Sequence, residues 1–217
     1  MQAILQDDAE ANKIWAQTVD LAVRSPFRVK ELVTYTKQLA AYRIETDQLH
    51  ETTKRLADVS AGLGVDMNRL ILAYGQVRAA EYLRGTELRQ FTEAGIPLLD
   101  ELAKHFTELE GRAISTADVF GMISKRMVAF EDVAAVFEKM TSAGGTFFNM
   151  QEIQSNTLHG MISNLHDSID LMMNDIGKYY DGVFKAGVST ARVFVDNWEG
   201  VAYAIKAVVL ALVGYKM

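Results

Sequence analysis

Apolar residues recur every three or four positions along most of the chain, and no window shows the sustained alternation of a strand. The clearest stripe lies between Thr141 and Phe184, where a glycine pair and two phenylalanines precede about seven helical turns. Its apolar positions share one helix face: Leu158, Met161, Ile162, Leu165, Ile169, Met172, Ile176, Tyr179, Tyr180 and Val183. A helix with such a face needs a partner, so we expect Ile169, Met172 and Ile176 to pack against the upstream helices.

The same period predicts about eight helices in front of this stripe. They span residues 7–24, 26–44, 46–63, 67–85, 87–94, 98–109, 116–127 and 130–140. Four residues are predicted N-caps: Ser25 with Pro26 at the first helical position, Asp66, Thr86, and Ser115 in a capping box with Asp118. We predict helix ends at Gly62 and Gly64, at Gly85, and at the turn Gly95-Ile96-Pro97.

These elements predict an all-α fold, a multi-helix bundle with a long C-terminal helical arm. The presence of only two prolines supports it, since proline breaks helices. We assign residues 1–187 to one helical domain and residues 188–217 to the start of a hydrophobic C-terminal helix. Its most apolar part, residues 201–213, stops close to Met217. We therefore expect the chain to be part of a longer protein.

Charge and composition exclude several classes of function. The net charge of −6 and the lack of a basic run argue against a dedicated nucleic-acid binder, whose affinity comes from neutralising phosphates. The absence of cysteine excludes disulfides and cysteine metal sites. The acidic N-terminus does not resemble a signal peptide. No apolar run reaches the 18 or so residues of a membrane-spanning helix.

The four histidines form no recognisable metal or catalytic motif. His50-Glu51 begins like a zinc-protease motif, but Lys54 stands where the second histidine is required. Asp47 and His50 imitate one half of a di-iron site, and no second half exists. His159 and His166, with Asp167 and Asp170 nearby, fit a solvated helix face better than a metal site.

Other candidate sites are also better explained by structure. Glu101 and His105 are four apart and fit an exposed helix pair. Met161, Met172 and Met173 fit a core filler better than a plastic binding surface. Phe147 and Phe148 fit a core plug behind the turn at Gly144-Gly145.

No phosphate loop, dinucleotide fingerprint or nucleophile elbow occurs, and Met67 stands where the third fingerprint glycine would be. We therefore predict no enzyme activity, no catalytic, cofactor-binding or metal-binding residues, and no cofactor.

A set of short motifs occurs in a fixed order between residues 20 and 187. They are Ser25-Pro26-Phe27, Lys37 to Ala41, Tyr74-Gly75-Gln76, Gly85 to Phe91, Ala94 to Pro97, Ile114-Ser115, Met140-Thr141 with Gly144 to Phe147, and Ser155 to Asp167. In this order they resemble the tape-measure domain of long-tailed bacteriophages and prophages. Two positions depart from the pattern, since Arg43 and Tyr82 stand where that family commonly has glycine.

The resemblance implies a structural virion protein that sets tail length and templates assembly of the tail tube. Its implied partners are tail-tube, tail-tip and assembly-chaperone proteins, with several copies in one tail. Its implied locations are the tail lumen and, during assembly, the host bacterial cytoplasm. The family further implies coiled-coil segments and a part in genome delivery.

Two other functions stay open at this point. A membrane-active helical protein would act at the host envelope through residues 201–213, although an ordinary packing helix explains that segment better. A cell-wall hydrolase has no supporting residue in the sequence.

Overall fold

The computed structural model describes residues 8–157 together with Ile169 and Met172. Within these residues the chain forms nine α-helices and one 3-10 turn, so the all-α prediction is confirmed. The elements are α1 Asp8–Val23, α2 Val29–Ala41, the 3-10 turn Thr46–Gln48, α3 Leu49–Leu63, α4 Met67–Ala80, α5 Gly85–Glu93, α6 Leu98–Glu110, α7 Thr116–Ser124, α8 Phe130–Thr141 and α9 Met150–Ser155.

Helix α3 lies at the centre of this body and packs against α1, α2, α4, α8 and α9. Nine of its residues are buried, on more than one face. Small side chains such as Ala57, Ser60 and Ala61 let neighbouring helices approach it from several sides. A helix enclosed in this way positions all the others.

An aromatic cluster lies in the core between α4, α5 and α8. The ring of Tyr74 meets Phe130 and Phe137 edge-on, with centroids 5.2 and 5.3 Å apart. Phe91 from α5 packs against Phe137 at 5.4 Å. Edge-to-face contact suits the ring quadrupoles, so these four residues join the three helices firmly.

Several predicted helix ends are confirmed. The Asp66 carboxylate accepts a hydrogen bond from the Asn68 amide at 2.9 Å, as an N-cap should. Ser115 and Asp118 form the predicted capping box, with bonds of 3.1 and 2.9 Å. Gly95 turns the chain at a φ of 84°.

Two predicted helix starts are wrong. Helix α2 begins at Val29 rather than after Ser25, because Ser25 Oγ caps its own turn by accepting from the Phe27 amide at 3.2 Å. Glu31 instead accepts from the Arg28 amide at 3.0 Å, which makes Arg28 the N-cap. The Thr86 cap is replaced by Arg84, since α5 begins at Gly85.

Three predicted helix ends are also wrong. Helices α2 and α7 stop earlier than expected because Arg43 and Arg126 adopt left-handed backbone angles, with φ of 62° and 60°. Helix α4 ends at Ala80 rather than near Gly85. The chain after it runs alongside the start of α8, where the Leu83 amide donates to the Val128 carbonyl at 2.9 Å. This tertiary pairing overrides the local helical pattern.

Some large apolar side chains are exposed, among them one of the two phenylalanines predicted to form a core plug. In α1, Ile14 and Leu21 are buried, but Trp15 and Val23 are 45% and 55% exposed. Phe147 is buried as expected, whereas Phe148 is exposed. The buried face of α1 is therefore narrow, and only one member of the phenylalanine pair lies in the core.

The long helix of the sequence lies outside the described residues except at two positions. Ile169 and Met172 are helical there, and they are 39% and 54% exposed. The expectation that Ile169 and Met172 pack against the upstream helices stays a prediction. The chain divides into one compact unit, Met1–Asp167, which contains α1–α9, and a second, Ser168–Met217. The predicted division at residue 187 stays a prediction.

Candidate functional site

The most unusual polar arrangement in the body lies between α3 and α9. Asp58 of α3 is almost fully buried and accepts a hydrogen bond from the Gln151 amide at 3.1 Å. The Gln151 side chain also hydrogen-bonds this carboxylate. One turn further on, Gln154 Nε2 donates to the Ala61 carbonyl at 3.3 Å. We call these four residues the α9 junction.

Apolar packing surrounds the junction. Gly62 lies against Phe147 and Met150, and a Cβ added there would come within 2.8 Å of the Phe147 ring. The absence of a side chain at Gly62 therefore lets α9 and the preceding turn lie directly on α3. The junction closes the body by joining residues 93 positions apart.

Burial raises the pKa of Asp58 to about 6, and its hydrogen bonds to Gln151 and the charge of Lys54 oppose this only in part. Burial is also the main cause of a lowered pKa at His50, on the first turn of α3. His50 Nδ1 and Gln151 Oε1 are buried and find no hydrogen-bond partner among the described residues. Both residues line a small cavity between α1, α3 and α9.

A wider cleft of about 460 Å³ lies between the 3-10 turn, α3, α4 and α8. Arg55 and Arg78 occupy it and pair with Glu138 and Glu45 at 3.2 and 3.5 Å. Arg78 also lies over the Phe130 ring, 5.2 Å from its centroid. The arginines thus hold the cleft walls together through paired charges.

The histidine pairs considered from sequence are arranged differently. His105 does not pair with Glu101, because its Nε2 lies 3.3 Å from the Asp132 carboxylate across the α6–α8 contact. Glu101 pairs with Lys104 at 2.6 Å instead. His159 and His166 lie outside the described residues. Among the residues described, no group of three or more histidines and carboxylates could hold a metal ion.

Two of the sequence motifs that follow α3, Tyr74-Gly75-Gln76 and Gly85 to Phe91, contact each other in the structure. Gln76 accepts from Gln90 Nε2 at 3.3 Å, so the Tyr-Gly-Gln element touches the Gly85 to Phe91 element. Gly75 lies against the Tyr42 ring, so closely that an added Cβ would overlap it. Glu87 is buried and accepts two hydrogen bonds from Arg84, at 3.0 and 2.6 Å. These motifs therefore position neighbouring helices.

The Gly-Gly-x-Phe motif forms the turn that leads into α9. Gly144 has a φ of 88°, which favours glycine, and Gly145 packs against the carbonyls of Lys139 and Met140 so closely that it has no room for a Cβ. The Phe147 amide then donates to the Met140 carbonyl at 2.8 Å, which directs its ring into the core.

The two departures from the family pattern differ in their consequences. Arg43 occupies a left-handed position, so the glycine expected there has a clear physical reason. At the second departure the left-handed residue is Glu81, with a φ of 67°, one position before Tyr82. The Tyr82 ring lies 5.3 Å from the Arg126 guanidinium.

The comparison with family models gives a result that agrees with these motifs. Residues 1–178 match the model of the tape measure protein family. The chain belongs to this family. No curated protein and no solved structure matches it. Membership makes the chain a structural component of a phage tail that associates with other tail components, as expected from the sequence. Within the described residues, no helix is long and apolar enough to cross a membrane.

Sequence reasoning missed the α9 junction. Asp58 and Gln151 are too far apart for any local pattern to pair them. One signal was present, because Asp58 stands among small residues in the run Ala57 to Gly62, which is typical of a helix packed on several sides. The Arg84–Glu87 pair, three residues apart, could have been predicted from spacing.

Proposed function

We propose that this chain is the folded body of a tape measure protein that sets tail length and templates assembly of the tail tube. The family match over residues 1–178 carries the proposal. Length is set by extended sequence elsewhere in the protein, while the body anchors that sequence during assembly.

The dimensions of the body support this division. Its α-helices have 6 to 16 residues, and at a rise of 1.5 Å per residue the longest is only about 24 Å. They fold back on one another around α3. Even if all 217 residues were one helix, it would measure about 330 Å. Residues 8–157 therefore contribute little to a ruler.

The test uses a phage that carries this gene. In-frame deletions outside residues 8–157 should shorten the tails by about 1.5 Å for each helical residue removed, as measured by electron microscopy. Unchanged tail lengths would refute the length-setting role. Phe137→Ala, in the buried aromatic cluster, should cost about 3–5 kcal/mol of stability and lower the number of tails without changing their length.

A matched substitution provides the control. Phe120 is 56% exposed, so Phe120→Ala should leave both the number and the length of tails unchanged. If Phe137→Ala instead shortened the tails that do assemble, the body would take part in measuring length.

The proposed partners are tail-tube, tail-tip and assembly-chaperone proteins, with several copies of the chain in the tail lumen and synthesis in the host cytoplasm. The net charge of −6 suits a channel through which DNA passes, because a negatively charged chain does not attract phosphates. Crosslinking in purified tails, followed by mass spectrometry, tests these contacts. Crosslinks confined to the outer tail surface would contradict a lumen location.

The alternative proposal is membrane contact through residues 201–213 during genome delivery. The apolar run Val201 to Val213, interrupted by Lys206, favours it. Flotation of the chain with liposomes, with and without residues 188–217, tests it. Equal flotation of both forms would refute the proposal.

A further inference from the structure

Two residues with buried, unpaired side-chain atoms, His50 and Gln151, line the small cavity beside the α9 junction. The cavity measures about 40 Å³ and is lined by residues of α1, α3 and α9 and by one residue beside each of α1 and α9: Leu21, Arg24, His50, Lys54, Asn149, Gln151 and Glu152. Gln151 is 3% exposed, and its Oε1 finds no hydrogen-bond donor among the described residues. A buried acceptor without a donor costs free energy.

The orientation of the Gln151 amide follows from its neighbour. An ionised carboxylate only accepts hydrogen bonds, so the side-chain bond to Asp58 is donated by Gln151 Nε2. The Oε1 atom is the other end of the same amide and is directed away from that carboxylate. The amide therefore contributes an acceptor.

His50 contributes the second acceptor. Its Nδ1 is buried and also finds no partner in the described part of the chain. Its Nε2 faces the more exposed Glu51 carboxylate, 3.9 Å away. A neutral imidazole with its proton on Nε2 presents Nδ1 as an acceptor.

We propose that this cavity is a hydration site in which one ordered water molecule donates its two hydrogens to His50 Nδ1 and Gln151 Oε1. A water molecule needs about 10–15 Å³ of such a cavity, so a cavity of about 40 Å³ is large enough to hold it. Lys54 and Asn149, which line the same space, offer donors to the water oxygen. The water links α9 to α3 in addition to the direct bonds of the junction.

The test uses the isotope-labelled 217-residue chain in water near pH 7.5. Nuclear Overhauser cross-peaks should connect His50 Hε1, the ring hydrogen beside Nδ1, to a water molecule that stays bound for longer than nanoseconds. The imidazole ¹⁵N shifts should report a neutral ring with the proton on Nε2. A proton on Nδ1, or the lack of a long-lived water in the wild type, would overturn the proposal.

A pair of substitutions in α9 separates this water from other bound waters. Gln151→Met removes the Oε1 acceptor and should abolish the cross-peak. Gln154→Met makes the same change one turn away, where the side chain bonds Ala61, and should leave the cross-peak in place. Equal cross-peaks in the two variants would contradict the bridge. If Gln151→Met fails to fold, the tautomer and cross-peak of the wild type still decide the question.

Discussion

The raised pKa of Asp58 predicts how the stability of the fold changes with pH. Its pKa is raised to about 6 from an ordinary value of 3.8, with burial as the main cause. A shift of about two units corresponds to about 3 kcal/mol at 1.36 kcal/mol per unit. Because the folded state binds the proton more tightly, this carboxyl favours folding below pH 3.8, and its contribution is lost as the pH rises through 6.

Asp58→Asn removes the charge and keeps an oxygen that can accept from the Gln151 amide. We expect the variant to be more stable than the wild type at pH 7, by up to about 3 kcal/mol. The difference should shrink by about 1.4 kcal/mol per pH unit between pH 6 and 4 and vanish near pH 3.8. Urea unfolding of both proteins at several pH values measures it.

Asp118→Asn serves as the control of opposite sign. Its bonds to Ser115 lower the pKa of the Asp118 carboxyl, so its contribution is present at neutral pH and is lost as the pH falls. Asp118→Asn should therefore be less stable than the wild type at pH 7 and approach it in acid. Two results would refute this reasoning: a loss of stability in Asp58→Asn at pH 7, or an effect of the substitution that does not change with pH. Either would show that the ionised Asp58 carboxylate is well solvated in the folded protein.

Three further predictions concern backbone positions, and urea unfolding checks each of them. Arg43→Gly should be about 1 kcal/mol more stable than Arg43→Ala, because only glycine relaxes the φ of 62°; equal stabilities would contradict backbone strain. Gly75→Ala should lower the free energy of unfolding by about 1–3 kcal/mol, because the added methyl group overlaps the Tyr42 ring. Adding Tyr42→Ala should recover part of that loss. If the losses of the two substitutions simply add, the clash lies elsewhere. Gly145→Ala should cost about 3 kcal/mol, while Gly121→Ala, at an open helical site, should gain about 0.5 kcal/mol; a tolerated Gly145→Ala would show that the turn can rearrange.

The helix ends show which features of the fold the sequence pattern predicts and which it does not. Four helices end with the same geometry, in which an amide bonds the carbonyl five residues earlier and the residue before that amide is left-handed. Gly64 and Gly95 occupy this position in two of them, and the sequence predicted both ends. Arg43 and Arg126 occupy it in the other two, and both predicted helices ran too far. The sequence therefore predicts this kind of helix end only where glycine occupies the left-handed position.

The candidate site was harder to predict than the helices. The buried stripes of α3, α4 and α8, which include Leu56, Tyr74 and Phe137, follow from a local period of three or four residues. The bond between Asp58 and Gln151 depends on how distant helices pack, which no local period encodes. Exposure of Trp15 has the same origin, because neighbouring helices cover only part of the apolar face of α1.

The distance in sequence across the α9 junction has a consequence for synthesis of the protein. Ribosomes add about 5–20 residues per second, so Gln151 is made roughly 5–19 s after Asp58. Helices α1 to α4 are neighbours in sequence and can pack during that interval, whereas the surface of α3 that receives Phe147 and Met150 stays uncovered. Nascent chains on one messenger are therefore most prone to associate through α3 in these seconds, and folding of the body is completed by the arrival of α9.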